Sequence, residues 1–183
     1  MKTRSLFLAV ILCIFIAGLA EASIAVTAGR LGVPSTARDG AILLRPLPTV
    51  LGLMMGTVQV IVESQSAVSP SWGVGSTFAV VYGMGVFGME SQVGLQWRPG
   101  GKYLAGWYAE LLPGFGWVSD AFGMLWYGTL SLNTGYQWVG RNGFAVNLAG
   151  GFMVSTIPIL PVKPNLIFGV GYAYTEPRSM LMR

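Results

Sequence analysis

Between residues 126 and 138 the chain alternates. Trp126, Leu130, Leu132, Tyr136 and Trp138 share one parity, and Tyr127, Thr129, Ser131, Asn133 and Gln137 the other. A period of two places successive side chains on opposite faces of a strand, here one apolar face and one polar. The next segment repeats the pattern, with Phe144, Val146, Leu148 and Phe152 set against Ala145, Asn147, Ala149 and Gly151. Residues 165–174 do so again, with Leu166, Phe168, Val170, Tyr172 and Tyr174 opposite Asn165, Gly169, Gly171 and Ala173. Between the first two segments, Val139-Gly140-Arg141-Asn142-Gly143 carries the Asn-Gly pair of a tight hairpin.

Earlier segments carry the same signal. Residues 107–117 turn Ala109, Leu111 and Phe115 one way with the two tryptophans, and Tyr108, Glu110, Gly114 and Gly116 the other; Pro113 is expected to weaken this strand, because proline cannot donate to a ladder. Residues 87–97 set Met89, Val93, Leu95 and Trp97 against Glu90, Gln92, Gly94 and Gln96, and Arg98-Pro99-Gly100-Gly101 follows as a turn. Residues 72–82 and 53–63 supply two more strands, and 39–47 an eighth, since an odd count would leave an open edge. The expected fold class is therefore all-β, an eight-stranded antiparallel up-and-down transmembrane β-barrel.

Composition bears on what surrounds such a barrel. Charged residues make up 10% of the chain and hydrophobic residues 53%, against about 25% charged in ordinary soluble domains. So few charges imply that little of the surface meets water. A backbone crosses lipid only as helices or as a closed barrel. Beyond the N-terminus only residues 47–62 approach a membrane-spanning helix, and Pro48, Thr49, Gly52, Gly56, Thr57 and Gln59 interrupt them.

Tryptophan spacing adds a length. Trp107 and Trp117 share one face of one strand, and at about 3.3 Å per residue with a tilt near 40° they stand roughly 25 Å apart along the barrel axis, the height of an outer-membrane apolar band. Trp126 and Trp138 bracket a similar strand, and Trp72 and Trp97 fall at strand ends. These six, with Tyr172 and Tyr174, are expected at the membrane interfaces; the competing reading makes them the core of a soluble β-domain.

The chain opens with Lys2 and Arg4, an apolar run over 6–19 and the triplet Ala20-Glu21-Ala22, the form of a cleaved secretory signal. Residues 1–22 are read as that signal, 23–38 as a periplasmic lead-in, 39–174 as the barrel and 175–183 as a short tail. Cys13 lies within the signal and lacks the small residues that precede a lipidated cysteine, so the mature chain is expected to hold no disulfide. Without the signal's Lys2, Arg4 and Glu21, 11 − 2 basic and 7 − 1 acidic residues leave a net charge of +3. That is too mild to argue for nucleic acid.

Several short motifs are similar to those of small bacterial outer-membrane barrels that share the outer-membrane protein A-like barrel architecture, especially a group defined only as a domain of unknown function. They are Glu63 followed by Ser69-Pro70-Ser71-Trp72, Gln96-Trp97-Arg98-Pro99-Gly100-Gly101, Gly106-Trp107-Tyr108, Gly135-Tyr136 and Gly169-Val170-Gly171-Tyr172-Ala173-Tyr174. The resemblance implies an outer-membrane protein whose partners are outer-membrane lipid and, during biogenesis, the barrel-assembly machinery. Gly169, Tyr172 and Tyr174 resemble the C-terminal signal read by that machinery, although here the chain continues to Arg183.

The chain contains no histidine, which removes the usual general base and the commonest zinc ligand. No catalytic residue, cofactor or metal is expected. Gly83-Met84-Gly85-Val86-Phe87-Gly88 matches a dinucleotide-binding pattern in letters only, since no helix follows it. Glu63, Glu90 and Glu110 all fall on the polar face of their strands, with Arg45 as a candidate partner. Two readings stay open for this cluster: a polar plug filling a lumen too narrow for a channel, or a narrow ion path. The corresponding functions are a structural or interaction barrel, and a pore or barrel that handles lipid or small solutes. The linker at 155–164 is apolar and proline-rich, unlike an adhesin's polar loops.

Overall fold

Among the described residues, eight strands and one helix follow one another along the chain. They are β1 (Gly40–Leu44), α1 (Pro46–Met54), β2 (Thr57–Ala67), β3 (Trp72–Gly83), β4 (Val86–Trp97), β5 (Gly106–Asp120), β6 (Gly123–Val139), β7 (Phe144–Ser155) and β8 (Val162–Tyr174). This computed structural model describes residue 38 and residues 40–100, 103–156 and 162–174. The expected signal, the lead-in apart from Arg38, and the tail lie outside the described residues. Each strand pairs antiparallel with the next, and β8 pairs back onto β1, closing an up-and-down barrel.

The register measures the closure. Paired residues followed once around the wall run Gly40, Ser66, Val74, Leu95, Leu111, Leu132, Phe152, Pro164. The β1–β8 register pairs Gly40 with Tyr174, so Pro164 would face position 174 − 164 + 40 = 50. The circuit thus returns 50 − 40 = 10 residues along, a stagger that obliges eight strands to tilt about 40°.

Position 50 is in α1, which takes in the last residues of the strand expected over 39–47 and the first of the strand expected over 53–63, a correction to both bounds. β1 spans five residues, and β2 begins at Thr57. Pro46 starts the helix at a position where a missing N–H is harmless, whereas Pro46 and Pro48 would each remove a ladder bond from a central strand. Gly56, at φ 76°, turns the chain out of the helix and into β2. No helix among the described residues is long and apolar enough to cross a membrane.

Pro113 weakens the ladder as expected, but β5 still runs 15 residues straight through it. Its pairing with Leu130 of β6 is kept, and only the β4–β5 ladder skips, between Gln92↔Gly114 and Leu95↔Leu111. Gly94 sits in that skip, where a Cβ would collide with the Leu111 carbonyl oxygen.

Parity sorts the side chains. Leu95, Leu111, Phe115, Leu132, Leu148, Phe152 and Leu166 stand exposed on the outside, while Gln65, Gln96, Glu110, Asn133, Gln137 and Asn147 are buried inside. The two ends also differ. One, called here the terminal end, holds the start of β1, the end of β8, Arg38, Arg98 and Arg141. At the other, the far end, the turns carry Met55, Met84 and Phe122, the last 98% exposed.

Candidate functional site

The lumen holds the polar residues that parity points inward. Arg45 leaves β1 with its side chain inside, where NH2 lies 2.9 Å from Glu63 Oε2 and Nε donates to the same oxygen at 2.9 Å. Arg45 NH2 also reaches Thr77 Oγ1 at 3.4 Å. The other Glu63 oxygen accepts from Gln65 Nε2 at 2.5 Å and from Asn147 Nδ2 at 3.4 Å. Glu110 accepts from Gln96 Nε2 at 2.8 Å and from Asn133 Nδ2 at 2.9 Å.

Arg98 joins these two carboxylate groups. One residue beyond β4, it turns into the terminal mouth and donates to the Leu104 carbonyl at 2.7 Å, Gln65 Oε1 at 3.0 Å, Gln96 Oε1 at 3.1 Å and Gln137 Oε1 at 3.2 Å. Its guanidinium stacks 5.0 Å from the Tyr108 ring centre, and the Tyr108 hydroxyl donates to Asn147 Oδ1 at 2.9 Å. A hydrogen-bonded path thus runs from Glu110 through Gln96, Arg98 and Gln65 to Glu63 and Arg45. Burial pushes the Arg98 guanidinium down to about 10, so it remains a cation at neutral pH. Arg98 Nε and Gln137 Nε2, both buried, have no hydrogen-bond partner among the described residues. Below this path Leu43, Leu104, Ala145 and Ala173 close the terminal end with apolar contact.

Glu90 stands apart. Its carboxylate accepts from Gln92 Nε2 at 2.7 Å, Tyr127 OH at 3.2 Å and Thr129 Oγ1 at 3.4 Å, all neutral donors. It is half-buried, whereas Glu63 and Glu110 are buried. Of the four residues singled out in the sequence, the fold brings Arg45 and Glu63 into contact, ties Glu110 to them through Gln96, Arg98 and Gln65, and leaves Glu90 on the far side. Arg98, with Gln65, Gln96, Tyr108, Asn133 and Asn147, was not singled out. The amides and Tyr108 had the inward parity that could have found them, while Arg98 was masked by the turn sequence around it.

The tryptophans lie on the outside at two levels. At the terminal end Trp72 pairs with Trp97, and Trp107 and Trp138 flank Tyr136 at ring distances of 5.4 and 4.5 Å. At the far end Trp117 pairs with Trp126 and meets Phe87 at 5.2 Å. Tyr172 is exposed on the outer face, Tyr174 ends β8 opposite Gly40, and Gly169 is buried.

No family model matches the chain, and no curated protein matches it. Among solved structures it is similar to the outer membrane protein Ail of Yersinia pestis in a phospholipid bilayer nanodisc, at 13% identity and a TM-score of 0.47, over 74% of this chain and 99% of that one. A crystal structure of the Yersinia pestis attachment invasion locus protein Ail with the heparin analogue sucrose octasulfate matches at 16% identity and a TM-score of 0.43, over 74% and 98%. The class of this protein, a closed eight-stranded antiparallel barrel, comes from its own strand pairing.

Proposed function

We propose that this chain is a non-enzymatic outer-membrane barrel, held in lipid by its outer face and plugged by its lumen, with a structural or interaction role. One observation carries the reading: the molecule is inside out. Leucines, phenylalanines and tryptophans are exposed around the wall, while amides, hydroxyls and ions are buried inside together with smaller apolar clusters around Leu43 and Leu104 and around Tyr108 and Ile167. In water such an exterior is an aggregation liability; in hydrocarbon it is the required surface, and the ring of strand pairing closes everywhere except where α1 stands between β2 and β8. The two aromatic levels support an apolar band between them, and Tyr172 and Tyr174 join the terminal level. Gly169, Tyr172 and Tyr174 are proposed to guide recognition by the assembly machinery, and lipid is the proposed partner of the outer face.

The plug is favoured over an ion path because Arg98 fills the terminal mouth with four hydrogen bonds and Leu43 and Leu104 seal it below. Eight strands leave a lumen that side chains fill. Membrane fractionation and heat-modifiable gel migration test the placement, and planar-bilayer recording tests the plug. The expected result is an outer-membrane protein, compact without boiling and electrically silent. Recovery of most of the protein in the soluble fraction would overturn the reading.

A further inference from the structure

The wall of this barrel is one strand short over part of its height. β1 pairs only with residues 62–66 of β2 and 170–174 of β8. Residues 57–61 of β2 and 162–169 of β8 therefore have no strand between them. Two strand spacings make this opening about 9.6 Å wide, close to the ~10 Å diameter of a helix, and α1 fills it.

The helix touches both neighbours but is hydrogen-bonded on one side only. On the β2 side the Arg45 N–H donates to the Ile61 carbonyl at 3.0 Å, the Thr49 hydroxyl to the Gln59 carbonyl, and the Thr57 hydroxyl to the Gly52 carbonyl at 3.1 Å. Gly52 packs so closely there that a Cβ would lie 3.0 Å from the Thr57 carbonyl oxygen. On the β8 side no hydrogen bond joins α1 to residues 162–169 among the described residues. The outward surface of α1 is apolar, with Val50, Leu51, Leu53 and Met54 exposed.

Behind this helix the lumen changes character. Most inward positions toward the terminal end are buried, whereas toward the far end, Gly88 and Gly116 apart, Ala79, Glu90, Gly114, Tyr127 and Met153 are half-buried and Lys163 is exposed. This far half carries one carboxylate on β4 and one ammonium on β8, at the edge of the opening. Neither Glu90 nor Lys163 has an ion-pair partner among the described residues. The surroundings thus offer an acceptor for a cation, a donor for an anion, and an apolar route to the bilayer.

We propose that the far half of the lumen binds the headgroup of a zwitterionic lipid, its ammonium on Glu90 and its phosphate on Lys163, with the acyl chains trailing into the bilayer between α1 and β8. The helix swings on its β2 attachments to admit the headgroup. This rests on the bilayer placement argued above, and it adds a ligand to a barrel otherwise read as plugged.

The test uses the full protein in vesicles, with phosphatidylethanolamine carrying a photoreactive diazirine next to the headgroup, and phosphatidylglycerol bearing the same label as control. Cross-links located by mass spectrometry are expected on inward Tyr127 and Met153 with the ethanolamine lipid. Those inward cross-links should fall by roughly tenfold or more in Glu90→Gln and in Lys163→Gln, the loss of one charge-assisted hydrogen bond, while outward cross-links stay unchanged. Thr49→Val, which loosens the β2 attachment, should raise inward labelling. Cross-links confined to outward residues, or inward labelling equal for both lipids and indifferent to the charge variants, would overturn the proposal. Heat-modifiable migration of the same samples reports insertion separately, so a barrel that never enters the bilayer overturns the placement and this inference with it.

Discussion

Arg45 and Glu63 form a buried ion pair, 2.9 Å between NH2 and Oε2, at the point where the wall changes from strand to helix. The pair ties the closing segment of the barrel to the network that fills it. Removing one member strands a charge in the interior, at a cost of about 3–5 kcal/mol. Arg45→Met and Glu63→Gln are each expected to lower the urea midpoint of unfolding from vesicles by that order. The double variant Arg45→Met with Glu63→Met should recover much of the loss, and a double variant as unstable as the sum of the singles would show that the pair is not coupled.

Arg98 makes its contacts through a planar fork that an ammonium cannot copy. Arg98→Lys should lose part of the four-acceptor set, and Arg98→Ala all of it, leaving buried acceptors each costing about 1–3 kcal/mol. Planar-bilayer recordings check the consequence: silence in the parent, rare openings in Arg98→Lys and frequent openings in Arg98→Ala. Equal silence in all three, with folding intact, would assign closure to the apolar layer of Leu43 and Leu104.

The outer face has a depth dependence that can be measured. Leu132 lies midway along β6 and is exposed, while Trp126 stands at the far aromatic level. Leu132→Arg is expected to destabilise the vesicle-inserted barrel by about 2–4 kcal/mol and Trp126→Arg by about 0–1 kcal/mol in its charge contribution. Equal penalties in equilibrium unfolding would contradict a bilayer with its midplane near Leu132.

Gly94 marks the tightest approach of β4 to β5. A methyl group there meets the Leu111 carbonyl oxygen, which is backbone and cannot rotate away. Gly94→Ala should cost about 1–3 kcal/mol, as overpacking does. Gly100→Ala, where nothing lies within 4 Å, is expected to stay within ~0.5 kcal/mol. Denaturant midpoints of the two variants make the comparison.

Much of the wall was legible because most strands set an apolar face against a face of polar or small residues. The contrast between Leu130 and Ser131, or Leu148 and Asn147, is the contrast between the outer face and the lumen, and it shows in short windows of the sequence from β2 onward. The helix was not legible for the same reason: residues 46–54 are apolar on every side, so no period distinguishes strand from helix there, and the valines after Gly56 lent their alternation to the residues before it. Arg98 escaped because Arg-Pro-Gly-Gly reads as a solvent turn, and only the closure of the ring points that guanidinium inward. Glu63 and Glu110 were legible as inward acids, but the amides that join them come from strands far apart in sequence, and parity alone does not say which will meet.

The inequality of the two ends bears on how the barrel gets into place. One rim must be carried through hydrocarbon during insertion, and each charge taken along costs about 2.5–3.5 kcal/mol or more at the bilayer centre. The far turns at 84–85 and 121–122 carry no charge, Asp120 spends its carboxylate on the Phe122 and Gly123 N–H groups, and the exposed cation at the described far end is Lys163. The terminal rim, by contrast, holds Arg38 and Arg141 on its exposed loops. On the proposed placement in a bilayer, such a barrel is expected to thread with its far rim leading, so that the sidedness of the finished protein would already be present in the residues of its turns.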